Sequence, residues 1–132
     1  MKRTYKSGKD ENKIELDVAV GTVGVANTVV TQRWSGGTFK IIRGSDENSG
    51  NIPEFVVGTA EELRDSYLVI STVIDFANIP KRDREKSREK IAIFYTLDGG
   101  FSGYQYFNYD TDDQITSLGG KIVVIIKPIK ML

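Results

Sequence analysis

Neither histidine nor cysteine occurs among the 132 residues of this chain. Histidine is the one side chain whose unperturbed pKa lies between pH 5 and 8, so its absence removes the usual general acid–base group, the imidazole metal ligand and any Ser/His/Asp triad. Without cysteine there is no thiolate nucleophile, no thiolate zinc site and no disulfide. Long apolar runs are missing as well. The longest, Ile122–Ile126, is strand-sized, whereas a bilayer-spanning helix needs about 20 apolar residues. There is no glycine motif of the kind that cradles phosphate and no Gly-x-Ser-x-Gly elbow. A carboxylate pair can hydrolyse glycosides without histidine, but one acid must be raised toward neutrality by burial. Glu54, Asp75 and Asp98 lie beside apolar strands, yet nothing singles out two of the 18 acids. A non-catalytic protein is the expectation.

Net charge of either sign is absent too. The 18 basic and 18 acidic residues cancel, which leaves no long-range attraction toward nucleic acid or anionic membrane. Local asymmetry remains in a basic N-terminus (Lys2, Arg3, Lys6, Lys9) and in a basic stretch from Lys81 to Lys90. The N-terminus has the basic flank of a signal peptide without the apolar segment behind it. Together with the missing cysteines, this makes the cytoplasm the expected compartment. The length suits one domain, large enough to bury roughly two-thirds of its unfolded surface without a metal or disulfide.

What is present reads as strands. Residues 1–11 are polar and aperiodic and are expected to form a flexible basic tail, with a single domain over 12–132. From Lys13, the residues Ile14, Leu16, Val18 and Val20 alternate with polar ones, the period of a half-buried strand. Val25–Trp34 and Thr38–Arg43 follow, joined by Ser35-Gly36-Gly37 in the manner of a hairpin. Residues 44–51 are turn formers or charged and predict a loop. A strand over Glu54–Gly58 leads to Thr59, an N-cap with Glu62 three residues on, which together predict a capping box and one helical turn. Strands over Tyr67–Phe76 and Ile91–Leu97 are separated by the charged stretch. That stretch has no apolar residue after Ile79 and should protrude. Asp98-Gly99-Gly100 predicts a turn into Phe101–Tyr109. The last strand, Lys121–Lys127, is apolar at five successive positions, the pattern of a strand covered on both faces. Pro128 should end it, and Lys121 and Lys127 flank it like residues that discourage aggregation.

These elements predict an all-β, single-domain antiparallel β-sandwich of about seven to eight strands with at most one short helical turn. A small β-barrel is the alternative.

Four groups of residues are candidates for function. Seven of the thirteen aromatics lie between Phe94 and Tyr109. Tyr104 and Tyr106, with Asn108 further along the same face, present flat rings and an amide of the kind that bind sugar hydroxyls and the apolar faces of sugar rings. With Trp34, they define a carbohydrate-binding reading. Equally, aromatics of this kind fill sandwich cores, and a lone tryptophan such as Trp34 serves as a core plug. Asp110, Asp112 and Asp113 supply carboxylates for calcium, joined by Asp46-Glu47-Asn48 if the fold brings the loops together. That arrangement would suit calcium-assisted binding of lipid headgroups, although the EF-hand spacing is not met. Lys81, Arg82, Arg84, Lys86, Arg88 and Lys90 form an interaction loop of net +3 over residues 81–90. Its interleaved acids and lack of aromatics disfavour nucleic acid as the partner. The leading expectation is a protein-interaction or structural assembly subunit whose partner is another protein or a second copy. It requires no cofactor.

Overall fold

A computed structural model describes residues 3–132, apart from the side chains of Thr111 and Leu118. In chain order the strands and helices are β1 (Thr4–Tyr5), β2 (Lys13–Gly21), β3 (Val25–Arg33), β4 (Phe39–Gly44), β5 (Ile52–Thr59), α1 (Ala60–Leu63), β6 (Tyr67–Asp75), α2 (Arg84–Glu89), β7 (Ala92–Asp98), β8 (Gln105–Asn108), β9 (Gln114–Thr116) and β10 (Ile122–Met131). They form two separate sheets, so the molecule is an all-β sandwich and not a closed barrel. The larger sheet runs β1-β10-β6-β3-β4, with β9 also pairing β10. The smaller runs β5-β2-β7-β8. The described strands number ten because β1 and β9, too short to show a period in the sequence, both pair with β10.

Alternation sets the two faces of each strand. Ile14, Leu16, Val18, Ile93, Tyr95, Leu97 and Phe107 of the smaller sheet meet Ala26, Val30, Leu68, Ile70, Ile74, Val123, Ile125, Ile129 and Met131 of the larger in one buried cluster. The predicted capping box forms at α1: Thr59 Oγ1 accepts from the Glu62 N–H, and the Glu62 carboxylate accepts from the Thr59 N–H at 2.9 Å.

Three expectations change. Residues 3–8 are not a flexible tail. Tyr5 is fully buried, β1 lies parallel to the end of β10, and the Tyr5 hydroxyl donates to Gly103 O at 2.7 Å. Period analysis cannot find a two-residue strand, because its pairing is decided by a partner 126 residues away. Met1 and Lys2 lie outside the described residues. Pro128 does not end the last strand, which continues to Met131. The Lys130 N–H bonds Arg3 O, just before β1, so residue 128, two positions back, faces the same side. There it lies between the stretches paired with β9 and β1, where no ladder partner among the described residues requires an N–H. Lys127 does not flank the apolar run as a solvated charge. It holds an inward register position and is 1% exposed.

The charged stretch carries a 3-10 turn (Lys81–Asp83) and then α2, with no buried residue in either. Arg, Glu and Lys are good helix formers, and Glu85 in the first turn and Arg88 in the last complement the helix dipole.

Candidate functional site

The two outer faces of the sandwich differ in chemistry. On the smaller sheet, outward positions follow the expected polar alternation: Lys13, Glu15 and Asp17 on β2, Thr96 and Asp98 on β7, Asn108 on β8. Val56 on β5, opposite Glu15, and the pair Phe94 and Tyr106 interrupt it; the two rings are stacked with centroids 5.3 Å apart, and all three residues are exposed to solvent. Asn108 pairs with Phe94 across the ladder, and Tyr104 is exposed just before β8. The structure therefore brings Tyr106 and Asn108 to one face and adds Phe94, with Tyr104 exposed at the entry to the strand. Trp34 stands apart, 37% exposed at the end of β3 in the other sheet, so it is neither part of this strip nor a core plug.

Glu15 and Glu54 meet on the same outer face. A hydrogen bond and charge repulsion from Glu15 hold the Glu54 carboxyl above the usual range, with Asp17 and Asp98 adding to the effect. Glycosidase carboxylates stand about 5–9 Å apart, with the sugar between them. This pair is in direct contact on an open surface, and its raised acid owes more to its neighbour's charge than to burial.

The acidic turn after β8 is engaged by the protein's own cations. Arg3 Nη2 donates to Asp110 Oδ2 and to Asp113 Oδ1, both at 2.9 Å. Lys127 Nζ lies 3.8 Å from Asp110 Oδ2 and 3.9 Å from Asp113 Oδ2. Asp113 Oδ2 also accepts the Asp110 N–H at 2.8 Å. Burial pulls the Lys127 ammonium below its ordinary pKa against the opposing pull of Asp110 and Asp113. Asp112 is exposed. Asp46, Glu47 and Asn48 do not join these acids. They belong to the β4–β5 link on one edge of the sandwich, whereas Asp110–Asp113 lie on the β8–β9 link at the opposite edge.

The basic segment divides in two. Lys81, Arg84 and Arg88 line one wall of an open cleft of about 630 Å³ whose other wall includes Ser117 and Gly120. Arg82, Lys86 and Lys90 are solvated.

The outer face of the larger sheet breaks the alternation at most of its positions. Its rows, read across β4-β3-β6-β10-β9 from the register, run Phe39–Arg33–Tyr67–Lys130, Ile41–Thr31–Val69–Pro128, Val29–Ser71–Ile126, Asn27–Val73–Val124–Ile115 and Val25–Asp75–Ile122. Exposure reaches 67% at Ile41, 61% at Ile115 and 56% at Phe39, and Val25, Val29, Tyr67, Val73 and Ile126 are also exposed. Charge at outward strand positions is confined to the two ends: Arg33 and Lys130 at one, Asp75 at the other. Arg33 lies over the Phe39 ring at 5.4 Å and Lys130 over Tyr67 at 5.7 Å. This surface was not among the sequence candidates. Its signal was nevertheless present in β10, whose five successive apolar residues ask for cover on both faces while the fold supplies it on one.

No protein-family model, curated protein or solved structure matches the chain. Among the described residues no helix is long and apolar enough to cross a membrane.

Proposed function

We propose that the protein is a non-catalytic β-sandwich that works as a protein-interaction or structural subunit, with the outer face of the larger sheet as its contact surface. One observation carries this reading: Val25, Val29, Ile41, Val73, Ile115 and Ile126, with the rings of Phe39 and Tyr67, are exposed at outward positions of β3, β4, β6, β9 and β10. The largest apolar patch on a monomeric protein is typically about 300–600 Å² and often functional. Taking full side chains as on the order of 150–200 Å², the exposed fractions on this face amount to roughly 700 Å². The test is a double charge substitution, Val73→Lys with Ile126→Lys, compared with the native protein by apolar-dye fluorescence and sedimentation. Both side chains point outward, so the fold should survive. The native protein should either bind the dye or sediment as an assembly, and the variant should do neither. A native protein that sediments as a monomer, ignores the dye and matches the variant would remove the reading.

A second reading, carbohydrate binding, is supported by the solvent-facing Phe94–Tyr106 stack with Asn108, Asp17 and Asp98 beside it. Trp34 lies in the other sheet, so its fluorescence is a poor reporter. Retardation of the protein in gels containing soluble polysaccharides is the suitable measurement. Binding to a polysaccharide that Tyr106→Ala weakens at least tenfold would sustain this reading, and no retardation by any of a broad panel would dismiss it.

A further inference from the structure

We infer that the partner covering the larger sheet is a second copy of this chain, packed face to face about a two-fold axis that runs across the strands. The inference rests on the contact-surface reading above and names its occupant. Two observations point to self-pairing.

The first is area. A stable interface takes about 800 Å² from each partner, and the roughly 700 Å² of exposed apolar surface on this face, with half-buried Ile122, Val124 and Pro128 extending it, matches that size. A two-fold interface uses the same patch on both copies, so one apolar face meets its own complement without a second protein being required.

The second is the placement of charge. Arg33 and Lys130 share one terminal row, and Asp75 sits in the opposite terminal row. A two-fold axis parallel to the strands would stack basic end on basic end. An axis across the strands reverses the ends and sets Arg33 and Lys130 of each copy over Asp75 of the other. Between them lie apolar rows and Asn27, Thr31 and Ser71, which place no like charges in opposition. The twist of each sheet then leaves the strands of the two copies about 30° apart, the usual aligned packing of sheets.

The native protein lacks cysteine, which makes the geometry directly testable. Arg33→Cys and Asp75→Cys are prepared as separate variants, mixed, and treated with a short bifunctional maleimide. Sheets packed face to face lie about 10 Å apart, whereas residues at opposite ends of a nine-residue strand are separated by roughly 25 Å. The mixture should therefore give cross-linked dimers, and neither variant alone should do so. Sedimentation of the native chain should show a dimer that Val73→Lys with Ile126→Lys converts to monomer. A native chain that is monomeric throughout a concentration series but binds apolar dye would overturn self-pairing and leave the contact surface to a different protein. A monomer indifferent to dye would remove both. A dimer that survives the double substitution, or that cross-links 33 to 33, would place the interface or the axis elsewhere and equally defeat the inference.

Discussion

Taking a lysine ammonium out of water costs several kcal/mol unless carboxylates meet it, and Lys127 is met by two. Asp110 and Asp113 approach it from the β8–β9 link while Arg3 binds the same pair from the solvent side. The acids that resemble a calcium turn in the sequence thus face cations already in place, and an incoming metal ion would have to displace Arg3 and compete with Lys127. Asp113 is the centre of the group, since it also accepts the Asp110 N–H. Asp113→Ala should destabilise the fold by about 3 kcal/mol, because removing one partner leaves a buried charge uncompensated. Asp112→Ala, at an exposed neighbour, should change stability by less than about 0.5 kcal/mol. Urea denaturation of the two variants checks the contrast, and equal midpoints would show that the cluster does not stabilise the fold.

Elements with their own local signal were legible in the sequence, and elements defined by a distant partner were not. The alternation over Ile14–Val20 became β2, and the Thr59/Glu62 spacing became a capped turn, because each depends on residues within one strand or one helical turn. The hairpin between β7 and β8 was also readable, although its loop is longer than an Asp-Gly turn, with Leu97 opposite Gln105. Gly99 takes a positive φ there, and a Cβ at that position would run into Lys13 O, so the loop is shaped by β2 as much as by its own residues. By contrast, β1 owes its existence to the end of β10, and the inward placement of Lys127 follows from a register fixed by β6. The aromatic strip was half legible: Tyr106 and Asn108 share a face by parity, but Phe94 joins them only through cross-strand pairing, and Trp34 leaves them because its strand belongs to the other sheet. The apolar outer face was the hardest to read, because β-branched residues at both parities look the same whether the cover comes from the chain itself or from another molecule.

At the scale of the whole molecule, the two sheets are held together by a core that includes the buried Tyr5 and Tyr95, with the half-buried Tyr109 packed against it. Tyr5 comes from the larger sheet, Tyr95 from the smaller, and Tyr109 from the link leaving it. Burial pushes all three above the ordinary tyrosine pKa of 10.0, with Asp113 and Tyr109 adding to the rise at Tyr95. A pKa raised on folding means that the unfolded chain loses its proton first. The stabilisation is therefore complete below pH 10.0 and is lost as pH climbs from there through the raised folded values. Lys127 works in the opposite sense: its pKa is lowered on folding, so its cost is present at neutral pH and relieved as pH rises toward 10.5. One lysine stands against three tyrosines, and stability should fall steeply in alkali. Tyr95→Phe isolates the largest of these contributions. Its buried hydroxyl has no hydrogen-bond partner among the described residues, so removing it should leave neutral-pH stability unchanged or raise it by about 1 kcal/mol. The fall above pH 10.0 should become shallower. Urea midpoints followed from neutral pH to about pH 11 measure both effects. A variant whose alkaline slope matches the native one would mean that Tyr95 ionises in the folded state as freely as in water, which the sealed interface between the two sheets forbids.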